Sequence, residues 1–143
     1  MQVRFFAAAI AFFLFNPALA DDGRQTVQLP DMMREHMLSN MRDHLLALEE
    51  ITRYLANQQY DEAAEIAENC LGMSSLELHG ASHLGKFIPK EMGAIGTNMH
   101  RAASRFALTA RDAELEGGLG KAFSALSEVM QQCVACHSGY KVH

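Results

Sequence analysis

The feature that most constrains this chain is a pair of cysteines followed at once by a histidine, close to its end. Cys133 and Cys136 are separated by two residues, and His137 follows directly. On a helix, residues three apart lie on nearly the same side, so both thiols face one way and the imidazole follows within a turn. The C-x-x-C-H spacing is the signature of c-type haem attachment. We therefore expect the rest of the chain to fold as a container for one covalently bound haem c.

The first twenty residues have the pattern of an export signal. Arg4 supplies a positive charge, Phe5–Phe15 form an apolar run, and residues 18–20 are a small-x-small cleavage site. The apolar run is well short of the roughly 20 residues that a membrane-spanning helix needs. We therefore expect a cleaved signal peptide at 1–20, a periplasmic domain at 21–143 and no stable membrane insertion after cleavage.

The charge of the mature chain excludes nucleic acid as a partner. Without Arg4, 11 basic side chains face 17 acidic ones, and the formal charge is −6. Nucleic acids and anionic membranes attract basic surfaces, so an acidic domain is poorly suited to either. The expected partners are other proteins.

The three cysteines permit other readings than haem attachment. In an oxidising compartment they would suggest disulfides, but attachment takes Cys133 and Cys136 and leaves Cys70 as a small buried apolar residue. A zinc site would need further ligands, and only His143 lies near in sequence. A thioredoxin-like dithiol belongs at a helix start after a strand, whereas this pair is predicted near a helix end.

Four stretches of the mature chain carry apolar residues at helical spacing. They predict helices A to D, with approximate bounds 31–57, 60–72, 89–113 and 119–138. Residues 21–29 are expected to be a loose lead-in, and 73–89 an irregular connection with a short helical turn around 76–84. No segment alternates with period two over a useful length, so no strand is predicted. The predicted fold is all-α, an antiparallel four-helix bundle with a covalently attached haem.

Polar and sulfur-bearing side chains fall on the predicted buried faces of two helices. In helix A, Asn40 and His44 interrupt an apolar stripe. The predicted stripe of helix D contains Leu119, Phe123, Leu126, Met130, Cys133 and His137. The haem motif is thus expected to continue the buried face of the last helix.

An exported precursor with four helices and a haem motif in the last one resembles the class II cytochromes c, the cytochrome c′ and cytochrome c556 group. The resemblance is sharpest at C-x-x-C-H-x-x-aromatic-basic, which ends here in Tyr140 and Lys141. It implies that Cys133 and Cys136 form thioethers, that His137 is the proximal iron ligand, and that Tyr140 and Lys141 lie at the haem edge. It also implies redox-protein partners and, as a family expectation, a homodimer.

The sixth iron ligand separates two functions. In the low-spin c556 members a methionine of the first helix binds the iron, and the resemblance puts Met37 at that position. Met33 and Met41 are the alternatives, or Met37 only packs in the core. With Met37 bound, we expect an electron-transfer cytochrome and not an enzyme. The alternative is five-coordinate iron that binds nitric oxide or carbon monoxide; peroxidase-like turnover has no visible distal His–Arg pair.

The remaining histidines leave the distal chemistry open. His44 is expected to line the pocket, bonded to a haem propionate or to the iron. His79 and His83 are four residues apart, which would suit a second metal if that stretch were helical. His36 and His100 are expected at an edge or on the surface.

Overall fold

The fold is almost entirely helical. The computed structural model describes residues 22–113 and 118–143, so the predicted signal peptide at 1–20 lies outside the described residues. Helix accounts for 77% of the structure, and strand for very little, which confirms the all-α class. Among the described residues, no helix is long and apolar enough to cross a membrane.

Three long helices carry the fold, and their bounds follow the predicted ones. Helix α1 spans Asp31–Ala56, α4 spans Lys90–Ala113 and α5 spans Gly118–Gly139. Prolines stand just before α1 and α4, where a missing N–H costs no helical hydrogen bond. At 1.5 Å per residue the three helices are roughly 33–39 Å long.

The second helical segment has nearly its predicted bounds, but it is much shorter than the three long helices and changes from α-helix to π-helix. Helix α2 spans Tyr60–Ile66 and continues as a π-helical segment over Ala67–Leu71. The chain then makes a 3₁₀ turn at Met73–Ser75 and a four-residue helix, α3, at Ala81–Leu84. Residues 60–71 together extend roughly 18 Å, about half the length of α1. The long helices therefore continue past the end of this segment.

A closely packed core lies where α2 covers the long helices. Most of its members are alanines, and Phe106 is the largest residue among those with almost no exposed surface. Small side chains let neighbouring helices approach one another closely. Its buried members are Ala47, Ile51, Leu55, Ala63, Ala64, Ala67, Leu71, Met99, Ala102, Ala103, Phe106, Ala107, Ala110, Ala113, Ala122, Leu126 and Val129. We call this set the main core.

Two short strands contradict the prediction that the chain has none. Strand β1, Gln25–Val27, pairs in parallel with β2, Tyr140–Val142. The predicted loose lead-in at 21–29 therefore contains a strand. Three residues are too few to show an alternating pattern, and the partner lies at the other end of the chain, so periodicity could not reveal the pairing.

The strand pair closes the end of the molecule where the haem motif lies. Because β1 leads into α1 and β2 continues α5, the start of α1 is held beside the end of α5. Val27, Leu29 and Met92 form a second buried cluster there. The side chains packed around it are Met33, Met37, Ile88, Cys136, Tyr140 and Val142.

The buried face of α5 differs from the predicted stripe. Three predicted members are exposed: Leu119, Phe123 and Met130. The buried positions are Ala122, Leu126 and Val129. Leu126 is therefore buried as predicted, and the other two buried positions hold the smaller side chains of Ala122 and Val129. His137, also expected on the buried stripe, is exposed.

Candidate functional site

A cavity of about 640 Å³ lies beside the part of the long helices that α2 does not cover. Its walls come from residues 37–48 of α1, the segment 76–89, residues 90–100 of α4 and residues 132–137 of α5. Most of the lining side chains are apolar. The volume falls within the range of about 300–1,000 Å³ that small-molecule and cofactor sites occupy.

All three side chains of the C-x-x-C-H motif line this cavity. Cys133 packs against the main core, and Cys136 packs against the second buried cluster. The two thiols therefore lie where the two packed regions of the molecule meet, and His137 follows them at the end of α5. The residues predicted to hold a haem are brought to one cavity.

The thiols are unpaired and neutral. Within the described residues, which include all three cysteines, no disulfide is present. Burial raises the pKa of Cys133, and burial together with Cys133 raises the pKa of Cys136. A reactive cysteine needs the opposite shift, toward thiolate, so these thiols are not arranged as a nucleophile. Cys70 lies apart from them, half-buried against the main core.

Methionines line the cavity from two helices. Met37 and Met41 do so from α1, whereas Met33 packs in the second buried cluster instead. Of the three methionines considered as iron ligands, two therefore have a position at the cavity. Helix α4 adds Met92 and Met99, which are seven residues apart and lie on one face of that helix.

Two positions of the α4 wall carry no side chain. Gly93 and Gly96 line the cavity one turn apart. A Cβ on Gly96 would meet nothing within 4 Å, and a Cβ on Gly93 would reach only the Ile88 side chain, at 3.7 Å. Glycine inside a helix costs about 1 kcal/mol relative to alanine. The two glycines leave space that a bound group can occupy close to the backbone.

Three imidazoles gather in another part of the wall. The ring centroid of His79 lies 4.6 Å from that of His44 and 5.2 Å from that of His100. All three side chains line the cavity. His83 is exposed and not among the lining residues, and α3 begins only at Ala81, so His79 and His83 do not share a helix. The metal pair expected for a helix in this segment does not form.

His100 contradicts the prediction of an edge or surface position, because only 6% of it is exposed. Its Nδ1 lies 2.7 Å from the carbonyl oxygen of Leu71 and 3.2 Å from that of Gly72. Carbonyl oxygens only accept hydrogen bonds, so Nδ1 carries the proton and donates. Leu71 is the last residue of the π-helical segment, and His100 pairs with its carbonyl oxygen. The Gly72 carbonyl oxygen also accepts from the Ser75 N–H at 3.1 Å.

Side chains of α1 hold the backbone of His79. His36 Nε2 and Asn40 Nδ2 both donate to the His79 carbonyl oxygen, each at 3.1 Å. Gly80 follows with φ of +64°, and a Cβ there would come within 2.9 Å of His36 Nε2. Glycine is therefore required at this turn. The half-buried His36 is a structural donor and not a surface group.

His44 and His79 are uncharged at neutral pH. Burial lowers the pKa of His44 to about 4, with smaller contributions from His79 and His100. Burial, together with His100, also lowers the pKa of His79, and Asp43 opposes this only in part. A neutral imidazole keeps one nitrogen lone pair, so this wall offers hydrogen-bond acceptors and metal ligands in an otherwise apolar site.

The last two residues that the family resemblance singled out lie in β2, outside the cavity lining. Tyr140 packs against the second buried cluster. The Lys141 ammonium lies 3.1 Å from the Asp22 carboxylate, which also binds Arg24 at 2.7 Å. Hydrogen bonds from Arg24 and then Lys141 lower the pKa of Asp22. The haem-edge roles of Tyr140 and Lys141 remain predictions.

Comparison with known proteins does not assign this site. No family model, no curated protein and no solved structure matches the chain. Within residues 22–113 and 118–143, no three or more histidine, cysteine, aspartate or glutamate side chains are arranged to hold a metal ion. The resemblance to class II cytochromes c thus depends on the residues of this chain alone.

Proposed function

We propose that this protein is a c-type cytochrome of the class II kind, which carries one haem c in the cavity and transfers electrons. The proposal depends mainly on one observation: a single apolar cavity is lined by both thiols and the imidazole of the C-x-x-C-H motif and by Met37 of α1. Two unpaired thiols, an imidazole and a thioether are the groups that bind a covalent, six-coordinate haem. An exported location, redox-protein partners and a homodimer belong to the same proposal.

The four helical segments of the fold are compatible with this assignment. Helix α1, the segment 60–71, α4 and α5 correspond to predicted helices A to D, and we propose that they form the antiparallel bundle of that family. The shortness of 60–71 leaves one part of such a bundle uncovered. The cavity lies in that part.

Each wall of the cavity has a role in this proposal. Cys133 and Cys136 hold the haem through thioether bonds, and His137 binds the iron from the same helix. Gly93 and Gly96 keep the α4 wall clear for the ring. When bound, haem supplies a reversible one-electron iron couple, whose potential depends on the axial ligands and on burial.

Met37 is the proposed sixth ligand. It lines the cavity and also contacts the second buried cluster, which fixes one side of its flexible chain. A thioether and an imidazole on the two faces of the iron are an established cytochrome c arrangement. Such coordination leaves no place for an external ligand, which suits electron transfer.

A second candidate is a five-coordinate protein that binds nitric oxide or carbon monoxide. The side-chain-free wall at Gly93 and Gly96 favours it, because that wall leaves room for a small apolar ligand. Peroxidase-like turnover is not proposed, because no arginine is among the described side chains that line the cavity.

Absorption spectra of the purified holoprotein, oxidised and reduced, separate the two candidates. Electron transfer with Met37 bound predicts a low-spin spectrum that carbon monoxide does not change. A high-spin ferrous form that binds carbon monoxide at once would reject this proposal in favour of the second candidate. Protein that carries no covalent haem after expression with a haem-attachment system would reject both.

Variants assign the ligands. Met37→Ala should convert the low-spin spectrum to high spin, because the iron loses its thioether. The matched control is Met33→Ala, a methionine one turn earlier on α1 that packs outside the cavity. Equal spectra for both variants would remove Met37 from the site. The double variant Cys133→Ser/Cys136→Ser should lose covalent haem completely.

A further inference from the structure

We infer that His44 and His79 bind one copper(I) ion in the cavity wall, with the Met41 thioether as the third donor. With Met37 as the sixth haem ligand, the haem proposal gives none of these three side chains a role. The site is therefore a second metal site, and its test measures copper separately from haem.

The distance between two ring nitrogens is the first observation. His44 Nε2 lies 3.5 Å from His79 Nδ1. A good hydrogen bond between nitrogens would be shorter, near 2.7–3.2 Å. Two imidazole nitrogens that each bind one tetrahedral ion at about 2.0–2.1 Å are roughly 3.3–3.4 Å apart. The pair is thus poorly placed to bond to itself and well placed to share a metal ion.

The surroundings hold this pair in place. His36 and Asn40 bond to the His79 carbonyl oxygen, and both come from the helix that carries His44. The buried His100 ring packs beside the pair, with centroids 5.2 Å from His79 and 6.1 Å from His44. Outer groups that fix the orientation of a ligand are a general feature of metal sites.

The available electron pairs favour metal binding at neutral pH. The lowered pKa values of His44 and His79 mean that no proton has to leave before a metal ion binds. Water competes weakly in a cavity whose other walls are mainly apolar. The Ser75 hydroxyl lies 3.4 Å from His79 Nδ1 but donates to the Gly72 carbonyl oxygen at 2.8 Å, so it leaves the Nδ1 lone pair available.

The donor set indicates which ion. Zinc sites use three or four histidine, cysteine or carboxylate ligands, and the described residues offer no such group. The third donor has to come from the lining, where thioethers are abundant. Met41 lies three residues before His44 on the same helix and lines the same cavity. Imidazole with soft thioether sulfur favours copper(I).

The test is a competition for Cu⁺ between the protein and a chromophoric copper(I) chelator such as bicinchoninate, under reducing, anaerobic conditions. Wild-type holoprotein should withdraw one Cu⁺ per chain. His44→Ala and His79→Ala should each weaken binding at least tenfold. The matched control is His83→Ala, an exposed histidine of the same segment outside the cavity, which should bind as the wild type does.

Free thiols also bind copper(I): Cys70 in the holoprotein, and all three cysteines in haem-free protein. The measurement is therefore repeated in Cys70→Ser holoprotein and, for haem-free protein, in Cys70→Ser/Cys133→Ser/Cys136→Ser. Retained binding that is lost on adding His79→Ala supports the histidine site, whereas loss of copper with the cysteines alone overturns it. Undiminished binding by His44→Ala and His79→Ala, or Zn²⁺ bound as tightly as Cu⁺, would also overturn it.

Two further measurements cover the case in which a histidine variant fails to fold. Met41→Leu preserves side-chain volume and should weaken Cu⁺ binding about tenfold at unchanged helical circular dichroism. X-ray absorption of copper-loaded wild type should show both nitrogen and sulfur neighbours, and sulfur-only coordination would contradict the site. Haem content, measured separately, reports on the cytochrome proposal, so failure of one proposal leaves the other standing.

Discussion

The two ends of this molecule are built on the same three long helices and packed in opposite ways. At one end α2 covers them, and alanines from α1, α2, α4 and α5 close the main core around Phe106. At the other end the irregular segment 72–89 replaces α2, and a cavity of about 640 Å³ remains. The difference teaches that the length of one short helical segment decides where the fold is closed and where it can hold a ligand.

Helix α4 shows the contrast along a single element. Ala102, Ala103 and Ala107 allow neighbouring helices to touch it, whereas Gly93 and Gly96, two turns earlier, leave their wall uncovered. Small residues thus serve packing at one end of the helix and space at the other. Variants that enlarge a small residue at either end of α4 test this difference between the two ends most directly.

The largest expected effect is in the main core. Phe106→Ala removes the largest fully buried side chain, and the loss should be about 3–5 kcal/mol in the free energy of unfolding. Chemical denaturation followed by circular dichroism measures it. Phe123→Ala is the matched control, because that ring is 43% exposed and its removal should change stability by about 0.5 kcal/mol or less. Similar losses for the two rings would contradict the assigned core.

The sequence predicted the long helices well because their signals are local. Pro30 and Pro89 mark the starts of α1 and α4, and each helix repeats its apolar period over six or more turns. The face of α5 was harder to predict, since a stripe of large apolar residues looks more buried than one of alanine and valine. In the structure, the buried positions of α5 are Ala122, Leu126 and Val129, which pack in one core with the alanines of α4.

The parts of the site that the sequence could not predict depend on contacts between distant residues. The C-x-x-C-H motif and Met37 could be proposed from spacing and resemblance, and they line one cavity. His79 meets His44 across 35 residues through a segment without periodicity, so no pattern indicated it. The burial of His100 accompanies its bond to the Leu71 carbonyl at the end of the π-helical segment, a contact across 29 residues that residue order alone does not reveal.

Acid should destabilise the cavity end more than the core. His44 has a pKa of about 4 in the fold against 6.5 when unfolded, so between these values the unfolded chain binds more protons. Stability conferred by neutral His44 is therefore complete above pH 6.5 and is lost as the pH falls toward 4. The loss should be on the order of 2–3 kcal/mol, since the side chain is partly exposed.

Denaturation of metal-free protein at pH 7, 5 and 4 measures this loss. His44→Leu should flatten the profile across that window relative to wild type, because the leucine takes up no proton. His83→Leu is the matched control, and its profile should follow that of the wild type. If His44→Leu loses as much stability on acidification as the wild type, the histidine cluster is not the acid-sensitive part.

Enlarging one residue at each end of α4 should give opposite results. Ala103→Leu adds volume where no surface is exposed, and overpacking should destabilise the fold by about 1–3 kcal/mol. Gly96→Leu adds its side chain to the cavity and removes a helical glycine, so apoprotein stability should stay equal or rise by about 1 kcal/mol.

The same two variants distinguish an effect on folding stability from an effect on haem binding. Gly96→Leu should lose haem content while its helices remain intact, whereas Ala103→Leu should keep its haem per folded molecule. Gly120→Leu, on an exposed position of α5, is the matched control for adding a leucine. Unchanged haem content in Gly96→Leu would mean that the bare wall of α4 has no part in binding.

The smallest expected effect on stability concerns the pairing of β1 with β2. It tests whether this pairing is needed to hold the start of α1 beside the end of α5. Val27 is 4% exposed, and its carbonyl oxygen accepts a bond from the His143 N–H at 3.1 Å. Val27→Ala removes two methyl groups from the second buried cluster, so we expect a loss of about 1–2 kcal/mol. The exposed Thr26→Ala should cost much less.

Hydrogen exchange at the His143 amide should quicken in Val27→Ala alone, because loosening β1 releases β2. Exchange that is equal in the two variants would mean that the helices alone hold the start of α1 beside the end of α5.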